Sequence, residues 1–191
     1  MSLRLPTTAR PGRTIPTRRQ FLIGASFALS TALIRPAAAG TSPAAERCLA
    51  FRNLHTEERL ETVYWRDGGY DATALEAINH ILRDHRTGEV KPIDPNLLDL
   101  LDRVQGELGT REPFQIISGY RSPKTNARLA ADSDGVAKRS LHVEGKAIDV
   151  RLESRGIATL RDTALGLRAG GVGYYPKSNF VHLDIGRVRA W

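Results

Sequence analysis

Sulfur chemistry is nearly absent from this sequence. Cys48 is the only cysteine among 191 residues, which excludes an internal disulfide and a thiolate-based metal site. The "AER" before it does not resemble a lipoprotein box, so Cys48 reads as a small apolar residue of the first strand. No G-x-S-x-G elbow is present, and nothing suggests a Ser-His-Asp nucleophile. Internal repeats and low-complexity tracts are missing from residue 40 onward. Long hydrophobic runs are missing too. The most apolar stretch, Phe21 to Ile34, is interrupted by Gly24, Ser26, Ser30 and Thr31 and is shorter than the ~20 residues of a membrane span.

Acidic residues are absent from residues 1–39, while six arginines stand there: Arg4, Arg10, Arg13, Arg18, Arg19 and Arg35. Without those six, the 28 Lys+Arg of the whole chain fall to 22, against 21 Asp+Glu. The formal charge of +7 therefore belongs to the leader, and a nucleic-acid partner is not implied. Arg18 and Arg19 directly precede the apolar run, and Ala37-Ala38-Ala39 closes it with the small residues that a signal peptidase accepts. Residues 1–39 read as a twin-arginine export signal, with a retained anchor as the alternative. Residues 40–47 form a short polar tether. Residues 48–191 are long enough to build one domain around a core of their own.

Strand and helix periodicities alternate in blocks. "CLAFRNLHTEERLETVYW" reads as two strands joined by a polar turn at 55–58. Asp71 caps a helix expected to run to about Arg86, with Leu75, Ile78, Ile81 and Leu82 as its apolar stripe and His80 and His85 exposed on it. "IDPNLLDLLDRVQGELG" is a helix with Asp94 as cap, Pro95 in the first turn and Gly109 at its end. "PFQIISG" is a strand and "SPKTNARLAA" a helix starting at Ser122. "KAIDVRL" is another strand, and "GIATLRDTALGLRAG" is a helix closed by Gly170. "GVGYY" and "FVHLDIG" are two strands separated by "PKSN". Hairpins and separate helices specify an α+β fold with a mainly antiparallel sheet packed with helices.

Two of these strands carry ligand-type residues on one face. Ile148, Val150 and Leu152 alternate with Ala147, Asp149 and Arg151, while Val181, Leu183 and Ile185 alternate with Phe180, His182 and Asp184. If the two strands are neighbours, their apolar faces meet the core and Asp149 emerges beside His182. His142 can fold over that face from the loop of "SLHVEGKAID", where Gly145 permits a tight path. Two histidines and one carboxylate suit zinc and leave a fourth tetrahedral position for water. Manganese or iron also accept such a set. By spacing alone, His142 is one histidine among five, and His182 with Asp184 also fits a pair facing water from an edge strand.

The segments "SLHVEGKAID", "SGYRSPKTN", "NLHTEE", "LGTREPFQIISGYRS" and "RAGGVGYYPKSNFVHLDIGRVRAW" resemble the zinc D-Ala-D-Ala peptidases that share a fold with the hedgehog signalling domain. They are most similar to the murein endopeptidase K branch, from about residue 50 to Trp191. This resemblance implies the hedgehog/DD-peptidase fold, with His142, Asp149 and His182 as ligands of Zn2+. It also implies a peptidoglycan substrate in the periplasm, cut at peptide cross-links between meso-diaminopimelate residues and in part at D-Ala-diaminopimelate links. Arg121 takes the place of an arginine that faces the scissile carbonyl, where it can stabilise an oxyanion or grip a carboxylate. Tyr120, Ser118 and Ser140 are expected to shape the pocket, and Tyr174 and Tyr175 to pack against substrate. A monomer without an integral membrane span is expected in the mature form.

The pattern is incomplete at one point. Where many relatives carry an acidic general base, three residues before the last histidine ligand, this chain has Asn179, and where another group has a catalytic histidine it has Phe180. Asp184 is the remaining candidate, either as base or as the residue that orients His182. A carboxypeptidase acting on murein stems, and a zinc-containing domain that binds cell wall without cutting it, are the alternatives to an endopeptidase.

Overall fold

The structure is a computed structural model that describes residues 46–132 and 139–191. The expected leader over 1–39, and the tether as far as residue 45, lie outside the described residues.

The first hairpin is Arg47–Asn53 (β1) and Arg59–Arg66 (β2), extended by the two-residue strand Gly69–Tyr70 (β3). Helix α1 (Ala72–Ile81) begins as expected, with the Asp71 carboxylate accepting from the Ala74 N–H. It ends about one turn earlier than the apolar stripe suggests. The Leu82 carbonyl leaves the helix to accept from the Tyr120 N–H at 2.8 Å, and the Asp84 side chain accepts from Ser122. Tertiary partners thus replace the last helical hydrogen bonds. His85 consequently sits off the helix, stacked on His55 with ring centroids 3.8 Å apart.

Helix α2 (Pro95–Leu108) agrees with its sequence signals throughout. Asp94 caps it, Pro95 takes a first-turn position that needs no N–H, and Gly109 ends it in the left-handed region at φ +59°. Strand β4 (Phe114–Ser118), helix α3 (Pro123–Asp132), strand β5 (Ala147–Arg151) and helix α4 (Ile157–Leu167) follow. Arg168, not Gly170, takes the left-handed position that closes α4. Gly170 is needed for a different reason: a side chain there would run into the Asp184 carbonyl. Strands β6 (Gly171–Tyr175), β7 (Phe180–Asp184) and the short β8 (Arg189–Ala190) complete the chain.

The eight strands of the described residues form one sheet in the order β3-β2-β1-β4-β5-β7-β6-β8. The β1–β4 and β6–β8 pairs are parallel and the others antiparallel. Helix α2 packs on β1 and α4, and α4 packs on β6 and β7. The core under these helices contains Leu49, Phe51, Phe114, Ile116, Ile148, Val150, Val181 and Leu183, with Leu97, Leu98 and Leu101 from α2. Period-2 alternation then sends Asp149, His182 and Asp184 to the opposite face. Among the described residues, no helix is long and apolar enough to cross a membrane.

Candidate metal centre

The β5–β7 pairing sets Asp149 directly opposite His182. His142 enters from a single 3-10 turn, Leu141–Glu144. Ser140 caps that turn by accepting from the His142 N–H at 3.4 Å. Gly145 closes it at φ +71°, where a side chain would meet both left-handed strain and the Pro92 carbonyl. The three side chains converge: His142 Nε2 lies 3.2 Å from Asp149 Oδ1 and 3.1 Å from His182 Nδ1, and Asp149 Oδ1 lies 2.8 Å from His182 Nδ1. Donor atoms of an ion bound tetrahedrally at 2.0–2.1 Å stand about 3.3 Å apart, so this triangle is close to the required size.

Hydrogen bonding on the far sides of the rings decides which atoms face inward. His142 Nδ1 is 2.7 Å from the Gly119 carbonyl, which only accepts, so Nδ1 carries the proton and Nε2 presents a lone pair. Burial drives the His142 imidazole below its ordinary pKa and keeps it neutral. On the other ring, His182 Nε2 donates to Asp184 Oδ2 at 2.9 Å, which turns Nδ1 inward. Burial opposes a charge on Asp149, yet His142 and His182 outweigh it and hold the carboxyl well below the usual range. Burial likewise opposes a charge on His182, but Asp149 and Asp184 raise its affinity for positive charge above the ordinary value. Three converging donor atoms therefore share at most one proton. Such a set fits a divalent cation, and His142, Asp149 and His182 form the one metal-type group among the described residues.

Arg121 enters the same pocket. Its Nη2 donates to Asp149 Oδ2 at 2.7 Å and its Nε to Ser118 Oγ at 2.9 Å. Ser118 reaches this face through a β-bulge: the β4–β5 register shifts between Ile116, which pairs with Val150, and Ser118, which pairs with Asp149. Strict alternation would have placed Ser118 with Ile116, on the core side, and no motif in the sequence marks this irregularity.

The remaining expected site residues separate into two groups. Ser140 lines the pocket, while Tyr120 does not. Tyr120 is 4% exposed and donates its hydroxyl to Glu89 at 2.7 Å, because the Tyr120 N–H bond to Leu82 turns the residue toward α1. Tyr174 also fails to line the pocket. It faces the helix layer, beneath the Arg161 guanidinium of α4, and its neighbour Tyr175 faces the pocket by alternation. Phe180, Trp191, Arg139 and Arg189 line the pocket as well, and of these Trp191 and Arg189 lie on a terminal segment whose short strand has no periodicity to announce it. The cavity, about 310 Å³, can hold a short peptide segment.

Asp184 stands behind His182, fully buried. Oδ1 accepts from the Gly171 and Gly186 N–H groups and from Arg189, and Oδ2 accepts from His182 and Arg189. Both oxygens are occupied on the side of the imidazole away from the donor triangle. Asn179 lies in the β6–β7 turn at φ +53°, a conformation that asparagine tolerates better than most residues. Asp149 is the only carboxylate lining the pocket among the described residues.

The family model described as peptidoglycan L,D-endopeptidase MepK matches residues 41–191. The peptidoglycan L,D-endopeptidase MepK of Escherichia coli K12 is 47% identical over 175 residues, which cover 91% of this chain and 96% of the relative. The Shigella flexneri protein of the same name gives the same figures. The probable peptidoglycan L,D-endopeptidase MepK of Haemophilus influenzae is 44% identical over 146 residues, 76% of this chain and 78% of the relative. With its sheet, its His-Asp-His triangle and near-half identity over most of its length, this chain belongs to the MepK family of M15 peptidases.

Proposed function

We propose that this protein is a zinc-dependent endopeptidase that hydrolyses peptide cross-links of peptidoglycan outside the cytoplasm. The bonds are those between meso-diaminopimelate residues, with D-Ala-diaminopimelate links as a secondary target. The observation that carries the reading is the triangle of His142 Nε2, Asp149 Oδ1 and His182 Nδ1, with edges of 2.8–3.2 Å, at the base of a peptide-sized pocket. The relatives' names point to the same substrate.

His142, Asp149 and His182 would hold the ion. Zinc in such a three-ligand site supplies a nucleophilic water of lowered pKa and polarises a carbonyl. Arg121 is the group that meets the substrate carbonyl. Its Nε and Nη2 are tied to Ser118 and Asp149, which fixes the guanidinium in place and leaves Nη1 for a substrate oxygen that gains charge during hydrolysis. Asp184 acts through His182. It holds the ring in one tautomer and one orientation, the usual work of a carboxylate beside a metal-binding imidazole. Twin-arginine export through Arg18 and Arg19 suits a protein that acquires its metal before it crosses the membrane.

Purified cross-linked murein, incubated with the protein with and without a chelator and again with His182→Ala, tests this reading. Loss of cross-linked dimers at unchanged stem length is expected, abolished by chelation and by the substitution. Shortened stems would identify a carboxypeptidase instead. Full metal occupancy without any product would identify a binding domain.

A further inference from the structure

Among the described residues, three arginines line the pocket: Arg121, Arg139 and Arg189. Two are already matched, Arg121 to Asp149 at 2.7 Å and Arg189 to Asp184 at 2.6 Å. Arg139 has no carboxylate within ion-pair distance among the described residues, and it stands exposed at the lip directly before Ser140. Among the described residues it is the uncompensated cation of the cavity.

The aromatic lining has a different character. Tyr175 and Phe180 stack with centroids 4.6 Å apart and planes at 17°. The Trp191 indole N–H donates to Tyr175 Oη at 2.8 Å, and the Arg189 guanidinium lies 4.8 Å from the Trp191 ring. A Cβ at position 173 would come within 2.8 Å of that ring, so Gly173 is what lets the indole lie against β6. Trp191 is 50% exposed yet held on three sides, which makes a fixed apolar wall from a residue that would otherwise be a loose surface aromatic.

A cavity whose described lining has one unmatched cation and a rigid apolar wall suits a ligand that is anionic at one end and aliphatic along its length. We infer that Arg139 is a specificity-determining residue that binds a free carboxylate of the stem residue flanking the scissile amide. The wall of Tyr175, Phe180 and Trp191 packs the methylene chain of that residue. A diamino dicarboxylic acid meets both requirements, and its amidated form loses the charge that a guanidinium recognises best. This inference rests on the endopeptidase reading above.

Two cross-linked muropeptide dimers, identical except that one carries its free diaminopimelate carboxylates as amides, provide the test. The zinc-loaded full chain is expected to favour the free acid by about tenfold or more in kcat/KM, mainly through KM, as the loss of a charge-assisted hydrogen bond implies. Arg139→Gln should bring the free acid down to the level of the amide, and Arg139→Lys should restore part of the preference. A preference that survives Arg139→Gln, or an equal loss on both dimers, would overturn the inference. Calorimetric binding of the uncleaved dimers separates it from the reading beneath it. Binding that favours the acid through Arg139, without cleavage, would sink the endopeptidase and leave the carboxylate site standing. Cleavage of both dimers without preference would do the reverse.

Discussion

His182 Nε2 donates to Asp184 Oδ2 across 2.9 Å, and the aspartate that receives this bond is fully buried, with Arg189 2.6 Å from the same oxygen. The carboxylate is thus spent on orienting an imidazole. Replacing it should affect metal retention before it affects chemistry. Asp184→Asn is expected to weaken zinc binding by roughly 10–100-fold, the range seen when such outer partners are changed. A competition titration against a chromophoric chelator reads this directly. The pH-rate profile of the metal-saturated variant should keep its shape; loss of its acid limb would return Asp184 to the role of base.

Metal binding should also appear as stability. The three donor atoms converge only in the folded state, so a cation that they hold binds that state alone. At a free zinc concentration of about 100 times Kd, the folded state gains about 2.7 kcal/mol. Differential scanning calorimetry should show a rise in Tm on adding zinc that chelator reverses and His142→Ala eliminates. An unchanged Tm with zinc would contradict the donor geometry.

Asp84 ties the loop after α1 to the start of α3. Burial alone would raise its carboxyl, but hydrogen bonds from Thr125 and Ser122 hydroxyls and from the Ser122 and Arg86 N–H groups hold it well below the usual range. A depressed folded pKa means that the unfolded chain binds the proton first as pH falls. The stabilisation is therefore complete above the unfolded value of about 4 and is lost below it. Asp84→Asn should cost about 1–3 kcal/mol at pH 7, and the difference should shrink in urea titrations taken below about pH 4.

The same sign holds at His85, in a higher pH window, although here burial disfavours the charged form. Burial, followed by the neighbouring His55, pushes its pKa down to about 4. A lowered histidine pKa leaves the unfolded state with more protons between about 4 and 6.5, so stability rises with pH across that window. His85→Phe, which preserves the ring stack, should flatten the slope, by about 1 kcal/mol after allowance for partial exposure. Equal slopes for both proteins would exclude the pair as the source.

Gly119 supports the centre through its backbone. Its carbonyl accepts from His142 Nδ1, and an added Cβ would enter the Leu82 carbonyl. Gly119→Ala should cost about 1–3 kcal/mol in chemical denaturation and lower zinc affinity as well. Stability loss with unchanged metal binding would show that the backbone shift does not reach His142.

Much of this architecture can be read from local pattern. The caps Asp71 and Asp94, the stop at Gly109 and the two-residue alternation of β5 and β7 are effects of nearest neighbours in the chain, where hydrogen bonding and side-chain period act over a few residues. That alternation is also why the sequence places Asp149 and His182 on one face, with His142 able to fold over it from a loop that Gly145 makes tight, and the family motifs imply the same trio. Other features depended on partners distant in sequence. The end of α1 was decided by Leu82 and Asp84 reaching Tyr120 and Ser122, the exile of Tyr120 by its bond toward Leu82 and Glu89, and the turning of Ser118 by a bulge against β5. The assignment of Asp184 as an anchor for His182 required Gly171, Gly186 and Arg189 to fill its oxygens. Periodicity thus settled which faces the residues occupy, since it arises within a strand or helix. Only the folded chain decided which groups on those faces are free to meet a substrate, because occupancy of a donor or acceptor depends on atoms brought together from across the sheet.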